Sequence, residues 1–253
     1  MNAIPADSPG THPRPQPPTG PRALVLASHS PRRRRLLSWL GLPFVSTEVD
    51  TPEDLDSPLA CDPAALAISL AAEKALAAAE TGATSMAAAG APALVLCFDT
   101  IVVLDGRVLG KPTDVADAWR MLRALSGRTH EVVTGVAILA PDDPEPRTLA
   151  VTTHVAMRPL DDEAIETWMA HGTFLGCAGA YNIEAQVAEV GMCECYQNVA
   201  GLPLCHVYAA LAGDPEMREI LPGRLSSPVA ACDAALMRLC ALGPRVIGEW
   251  ADA

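Results

Sequence analysis

A run of arginines follows a polar turn near residue 28, and together these residue types could bind phosphate. The turn is Ser28-His29-Ser30, and Pro31 opens a helix that carries Arg32 to Arg35. A serine cap and a proline at the first helical position favour a helix start here. Free backbone N–H groups and the helix dipole then face one spot, beside guanidinium groups that pair with phosphate oxygens. The alternatives are a solvated helix face and a basic patch for nucleic acid.

The two lysines of the chain, Lys74 and Lys111, stand out against sixteen arginines. Such a skew favours arginine wherever either cation serves, so we expect each lysine to lie where a planar guanidinium does not fit. Lys74 lies in a predicted helix, and Lys111 follows a predicted hairpin in a Gly-Lys-Pro sequence. Both are candidate ligands of a crowded anion, and the alternative is a pair of solvated surface lysines.

An acidic residue, Asp99, follows the apolar segment 93–98, which predicts a buried strand. We expect Asp99 and Thr100 to leave the sheet at the C-terminal end of that strand, where the active sites of α/β proteins gather. A carboxylate in this position could act as a general base or bind a metal ion. A turn or a cap is the alternative for an isolated Asp-Thr pair.

The elements that must position these residues mix helices, strands and hairpins. The sequence predicts helices over about 31–40, 62–78, 114–125, 161–170 and 204–211, and strands over 23–27, 44–46, 93–98, 101–104, 107–109, 129–140 and 148–157. Because two pairs of these strands read as hairpins, the pattern indicates a mixed sheet rather than a parallel one. We therefore predict an α/β fold over residues 22–212.

Two terminal segments flank the predicted domain. Residues 1–21 contain seven of the 23 prolines and little apolar periodicity, which predicts a disordered tail. Residues 213–253 form an extension interrupted by prolines, in which one helix is predicted over 228–242.

Charge and hydropathy argue against several classes of protein. A net charge of −12 disfavours direct binding to nucleic acid or to an anionic membrane. No apolar run reaches the roughly 20 residues that span a bilayer, and no signal peptide is recognisable. The eight cysteines include one close pair, Cys193 and Cys195, which is a weak metal signal. We expect free thiols and a cytoplasmic location.

Five segments between residues 23 and 211 resemble, in order and spacing, the Maf family of nucleotide pyrophosphatases. They are LASHSPRR, the AEKA of the second helix, DTIVVLDGRVLGKP, LSGRTHEVVTGVAI, and AGAY followed by GLPL. The resemblance implies a fold like that of the inosine-triphosphate pyrophosphatases, an elongated mixed sheet with flanking helices and a cleft between two lobes. It also implies hydrolysis of a nucleoside triphosphate to the monophosphate and pyrophosphate with a divalent cation, Mg²⁺, Mn²⁺ or Co²⁺.

The same resemblance implies roles for the candidate residues. The phosphate-binding positions of the family match Ser28, Arg32, Arg33, Lys74 and Lys111. Asp99, Lys74 and Lys111 are the expected catalytic residues, with Asp99 as general base or metal ligand. A second carboxylate is expected after Phe44: counting from that phenylalanine selects Glu53, which we prefer, whereas aligning the Val-Asp pair selects Asp50.

One segment, residues 176–185, departs from the family pattern D-K-A-G-x-Y-x-I-Q-G. Cys177 replaces the lysine, Glu184 the glutamine and Ala185 the glycine, whereas Tyr181 is retained. We interpret Cys177, Tyr181 and Glu184 as a substrate-specificity segment, in which Glu184 could add a metal ligand or accept hydrogen bonds from a base. The Cys-Ala-Gly form with Glu184 resembles the family branch that favours 7-methyl-GTP, and Asp99-Thr100 resembles the branch that acts on dTTP and UTP. Both substrates stay open.

A second class of function is a nucleotide-binding regulator of septum formation in cell division whose catalysis is altered. The changes at residues 176–185 allow this reading, whereas the net charge argues against direct DNA binding. A nucleoside triphosphate is the expected partner in either case, and a homodimer is compatible with both.

Overall fold

The computed structural model describes residues 23–82, 93–141, 143–185 and 187–248, so the predicted tail over residues 1–21 lies outside the described residues. Its strands are β1 (Ala23–Ala27), β2 (Val45–Thr47), β3 (Ala93–Leu104), β4 (Arg107–Leu109), β5 (Thr129–Leu139), β6 (Arg147–Met157) and β7 (Ala188–Val190). They form a sheet in the order β2-β1-β3-β5-β6-β7, with β4 paired to β3. β1 runs parallel to β2 and β3, and the other pairs are antiparallel. The predicted α/β fold with a mixed sheet is confirmed.

Helices flank this sheet, and three of the longer ones begin at an aspartate cap. The α-helices of the described residues are α1 (Pro31–Ser38), α2 (Pro63–Glu80), α3 (Val115–Leu125), α4 (Asp162–Met169), α5 (Tyr196–Val199), α6 (Leu204–Gly213), α7 (Pro215–Ile220), α8 (Val229–Leu236) and α9 (Gly243–Ile247). Asp62, Asp114 and Asp161 each accept a hydrogen bond from the backbone N–H three residues later, which stabilises the starts of α2, α3 and α4.

The C-terminal extension differs from the single helix predicted over 228–242. The structure has three short helices, α7, α8 and α9, in this part of the described chain. α8 ends at Leu236 because Met237 adopts a left-handed conformation with φ of 50°. Pro215 lies in the first turn of α7, and Pro244 lies in the first turn of α9. In this position the missing N–H of proline costs no helical hydrogen bond.

The placement of Asp99 at the end of a strand is wrong. β3 continues without a break from Ala93 to Leu104, and Asp99 lies in its middle. The strand continues because β5 pairs with it across this point, with Asp99 opposite Gly135 and Thr100 opposite Thr134. Two predicted strands, 93–98 and 101–104, are therefore one.

A gap in the pairing of β3 nevertheless exposes this part of the strand to a binding site. On the side away from β5, β1 pairs with β3 as far as Cys97, and β4 pairs with β3 only from Val102 to Leu104. Among the described pairings, Phe98–Ile101 therefore have a neighbour on the β5 side alone. Because β1 is parallel to β3 and β4 antiparallel, the C-terminal ends of both strands point into this gap.

The two faces of β3 pack against different helices. Leu94, Leu96 and Phe98 belong to the cluster that buries the apolar face of α1, whereas Val95 and Cys97 pack with the alanines of α2. Successive side chains of a strand point to opposite faces. Asp99 therefore faces α2, the helix that carries Lys74, and Thr100 faces the side of α1.

Gly135, opposite Asp99, allows the backbone of α2 to lie directly on β5. A Cβ atom at this position would collide with the carbonyl group of Ala67 in α2. We expect Gly135→Ala to destabilise the protein by roughly 3 kcal/mol, because helix backbone cannot yield as a flexible side chain does. Urea unfolding measures the effect, with Gly213→Ala as control because a Cβ atom there meets nothing within 4 Å. Equal stability of the two variants would contradict this packing.

Candidate active site

A cleft of about 540 Å³ lies at the gap in β3. Its wall combines the β1–α1 turn, the loop after β2, α2, β3, the turn after β4 and the segment 173–184. It contains most of the residues that the sequence selected: Ser28, Arg32, Arg33, Asp50, Glu53, Lys74, Asp99, Lys111, Cys177, Tyr181 and Glu184. The size is that of a site for a small organic ligand.

The turn after β1 opens α1 as the sequence predicts. Ser30 is the N-cap, and its side chain accepts a hydrogen bond from the backbone N–H of Arg33 at 3.4 Å. The hydroxyl of Ser28 accepts from the N–H of Ser30 at 3.2 Å, which holds the turn closed. The positive end of α1 therefore borders the cleft.

Arg33 is fixed from three sides. Its Nε donates to the carbonyl oxygen of Gly201 at 2.8 Å, and its two Nη atoms donate to Thr100 Oγ1 at 3.0 Å and Ser28 Oγ at 3.4 Å. The guanidinium also lies 5.7 Å from the ring centroid of Phe98. Burial lowers the pKa of Arg33 below its usual value, although an arginine so hydrogen-bonded stays a cation at neutral pH.

Arg32, by contrast, retains unused donor capacity. Among the residues that the structure describes, its Nη atoms have one hydrogen-bond partner, the sulfur of Cys177 at 3.8 and 3.9 Å, which is a weak acceptor. Its Nε is buried and has no hydrogen-bond partner among the described residues. A buried donor without a partner is costly, so this atom favours an anion in the cleft.

Four ionic side chains form a cluster beside the arginines. The ammonium of Lys74 contacts Asp99 Oδ1 and lies 3.0 Å from Glu53 Oε1, and the ammonium of Lys111 lies 2.7 Å from the same oxygen of Glu53. The Lys74 side chain is 14% exposed, whereas that of Lys111 is 50% exposed. The cluster thus has one enclosed ammonium and one that is open to solvent.

Two members of the cluster, Lys74 and Glu53, have pKa values shifted in the direction that favours their charged forms. Burial lowers the pKa of Lys74, but contact with the carboxyl groups of Asp99 and Glu53 raises it by more. The pKa of Lys74 therefore lies above its usual value. Burial raises the pKa of Glu53, but Lys74 and Lys111 together lower it by more. The pKa of Glu53 therefore lies below its usual value. Lys74 is therefore an ammonium and Glu53 a carboxylate.

The structure separates the two candidates for the second carboxylate. Glu53 contacts both lysines, as described above. Asp50 instead lies 3.2 Å from His29 Nε2, and its side chain is 94% exposed. His29 Nδ1 also lies 3.3 Å from Glu48, so this histidine connects the β1–α1 turn to the acidic loop, residues 48–56, that follows β2. Glu53, and not Asp50, is thus brought to Asp99 and the lysines.

The specificity segment also lines the cleft. Glu184 pairs with Arg35 of α1, so it is not part of the carboxylate pair at Lys74. Cys177 is buried against Arg32, and Tyr181 is buried with its hydroxyl 2.7 Å from His130 Nε2. Glu184 therefore lies near the rim, away from the ionic cluster's ion pairs.

The sequence reasoning missed one residue that supports the site, His130, and named a second, Thr100, only together with Asp99. Thr100 bonds Arg33 and Thr134, and His130, the second residue of β5, bonds Tyr181. Burial lowers the pKa of His130 to about 4, so its imidazole is neutral at physiological pH. The available signal for His130 was a single histidine in the long strand β5, and for Thr100 it was the position next to Asp99.

Comparisons with known proteins identify the family of this chain. The family model described as Maf-like protein matches residues 23–213. The dTTP/UTP pyrophosphatase of Moorella thermoacetica is 48% identical over 192 residues, which cover 75% of this chain and 93% of that protein. Proteins of the same name from Ruminiclostridium cellulolyticum and Xanthomonas axonopodis are 40% and 42% identical over 185 residues, covering 72% of this chain and 91% and 94% of theirs. The chain belongs to the Maf family.

The family match includes every residue of the cleft and ends at the start of the C-terminal extension. Helices α7, α8 and α9 thus lie beyond the shared domain. Among the described residues, no helix combines the length and the apolar character needed to cross a bilayer.

Proposed function

We propose that the protein hydrolyses dTTP and UTP to the nucleoside monophosphate and pyrophosphate. The observation that carries this proposal is the convergence of Asp99, Glu53, Lys74 and Lys111 with Arg32 in one cleft. The identity of 40–48% to proteins named dTTP/UTP pyrophosphatase supports the choice of substrate.

In this proposal the triphosphate is bound by the cationic side chains that still have hydrogen-bond donors available. Within the described part of the chain, Arg32 Nε has no hydrogen-bond partner, and Lys111 is half exposed and bonded to one carboxylate oxygen. The N-terminus of α1 adds backbone donors and its dipole. Arg33 is held by protein atoms, so its part is to fix Ser28 and to contribute charge. Preorganised cations of this kind stabilise the charge that develops on phosphoryl oxygens during attack.

Asp99 is the carboxylate at which we place the attacking water. It is 4% exposed and held by Lys74, so its orientation is fixed before substrate binds. An ionised carboxylate can accept the proton of the water or bind a metal ion, and both roles fit this position. Lys74 then serves to hold the carboxyl groups of Asp99 and Glu53 close together.

A divalent cation fits the donor set of the cluster. Asp99 and Glu53 contact the same ammonium, so two carboxylates lie within a few ångströms of each other. Within the described ranges, no three His, Cys, Asp or Glu side chains are grouped so that they could hold a metal ion by themselves. Mg²⁺ commonly takes one or two carboxylates and completes its octahedron with substrate phosphates and water. Asp99 and Glu53 would hold such an ion, whose chemistry is to neutralise the phosphate charge.

Glu184 is the residue we expect to distinguish the nucleobases. Uracil and thymine present an N3–H donor, which a carboxylate accepts, whereas cytosine presents an acceptor at N3. An amide at position 184 could donate as well as accept. Glu184→Gln should therefore lower the ratio of kcat/KM for UTP over CTP by about 10-fold.

The experiment is a panel of UTP, dTTP, CTP and 7-methyl-GTP scored for pyrophosphate release by the wild-type protein and Glu184→Gln. Glu189→Gln is the matched control, because Glu189 is an exposed residue of β7 that pairs with Arg158. Preference for UTP and dTTP is expected of the wild type. A preference for 7-methyl-GTP would contradict the proposed substrate, and an unchanged UTP to CTP ratio would exclude base readout by Glu184.

A further inference from the structure

We infer that Tyr181 and His130 are positioning residues that hold Lys111 in the cleft through the backbone turn at residues 179–180. This role rests on the proposed function, because it assigns the pair to the reaction that Lys111 serves. This positioning role does not require Tyr181 or His130 to contact the reacting atoms.

The Tyr181–His130 pair is a buried anchor. The tyrosine hydroxyl lies 2.7 Å from Nε2 of the imidazole, and the two rings meet edge to face with centroids 5.3 Å apart. The two residues are 5% and 3% exposed. Because His130 is neutral, its Nε2 is a donor in one tautomer and an acceptor in the other, and the tyrosine hydroxyl can accept from it or donate to it. The anchor connects the specificity segment to the start of β5, where the backbone is paired with β6.

Immediately before the anchor, the backbone takes a strained course. Gly179 and Ala180 have φ of 67° and 61°, and the left-handed region is unfavourable for alanine. Such a conformation persists only where its surroundings enforce it. Here the indole Nε1 of Trp168 donates to the carbonyl of Ala180 at 2.8 Å, and the N–H of Ala180 donates to the carbonyl of Cys177 at 3.0 Å. The anchor at residue 181 fixes the end of this turn.

The strained turn is bonded directly to the residue before Lys111. The N–H of Gly179 donates to the carbonyl of Gly110 at 3.0 Å. A Cβ atom at Gly179 would lie 3.1–3.3 Å from the side chain of Val102, so the turn is also pressed against β3. On the other side of Gly110 a Cβ atom would collide with Leu55, in the same loop as Glu53. The backbone at Gly110 is therefore held between the turn and the acidic loop.

The consequence is a path of contacts from His130 to the ionic cluster. The anchor fixes the turn, the turn fixes Gly110, and Lys111 extends from Gly110 to Glu53 at 2.7 Å. A half-exposed lysine side chain has many rotamers, so a fixed backbone is what limits its reach. An electrostatic contact accelerates a reaction most when it is placed in advance.

The kinetic test is a double-mutant cycle between Tyr181→Phe and Lys111→Ala with UTP as substrate. We expect Tyr181→Phe to lower kcat about 10-fold in the wild-type background and less than about 2-fold when Lys111 is already alanine. Equal losses in both backgrounds would overturn the inference. Tyr208→Phe, which removes a hydroxyl on α6 from a ring packed at the edge of the core, is the control and should leave kcat unchanged.

A second readout does not depend on turnover. Hydrogen exchange of the Gly179 amide reports its bond to Gly110 directly, and Tyr181→Phe should accelerate that exchange about 10-fold while distant core amides of β5 keep their protection. Unchanged exchange at Gly179 would overturn the inference. If the wild-type protein turns over no triphosphate, the proposed function fails, and the exchange measurement still decides whether the anchor positions the backbone at Gly110.

Discussion

Asp99→Asn is expected to lower kcat for UTP by roughly 10³-fold while leaving the protein folded. The amide has the shape of the carboxylate, so it fits the buried position in the middle of β3. It cannot accept a proton at neutral pH and is a poor ligand for a hard cation. Both roles proposed for Asp99 are therefore lost at once.

The measurement is steady-state pyrophosphate release, with a circular-dichroism melt to show that the variant folds. Asp105→Asn is a matched control: Asp105 lies in the exposed turn between β3 and β4 with φ of 51°, a conformation that asparagine tolerates well. A rate for Asp99→Asn within a few-fold of the wild type would exclude Asp99 from both roles.

The second large effect is expected for Lys74→Arg, which conserves the charge and should still lower kcat about 10²-fold. The Lys74 ammonium is enclosed between Asp99 and Glu53. A guanidinium is planar and wider, and to enter the same space it must push the two carboxylates apart. Their spacing is what a shared cation or an oriented water depends on.

Lys111→Arg is the natural comparison for this variant. The sequence argument treats both lysines alike, as sites too crowded for arginine, but the structure gives Lys111 a half-exposed side chain with room for a guanidinium. We expect Lys111→Arg to retain at least about a tenth of the wild-type kcat, whereas Lys111→Ala loses more. Equal losses for Lys74→Arg and Lys111→Arg would show that enclosure does not decide which cation is accepted.

Local patterns in the sequence predicted much of the fold. Ser30-Pro31 marked the start of α1, Asp62-Pro63 that of α2, and the apolar runs marked the buried strands, because caps and periodicity act over a few residues. Glu53 was preferred over Asp50 by counting from Phe44, and the structure brings Glu53 to the lysines.

Features that depend on distant partners could not be predicted in this way. The Asp-Thr pair resembled the end of a strand, yet β5 pairs with both residues and carries β3 past them. The unequal roles of Arg32 and Arg33 depend on Gly201, Thr100 and Cys177, which are far away in sequence. The length of α8 depends on a left-handed Met237, for which methionine carries no signal.

The central claim is that the cleft cleaves the bond between the α- and β-phosphates of a pyrimidine triphosphate. Phosphorus-31 NMR of UTP incubated with the wild-type protein and Mg²⁺ identifies the products directly, and a chelator provides the matched sample without metal. The account predicts UMP and pyrophosphate in equal amounts, with turnover lost in the chelator. Release of orthophosphate with UDP, or no turnover of UTP and dTTP with Mg²⁺, Mn²⁺ or Co²⁺, would contradict it.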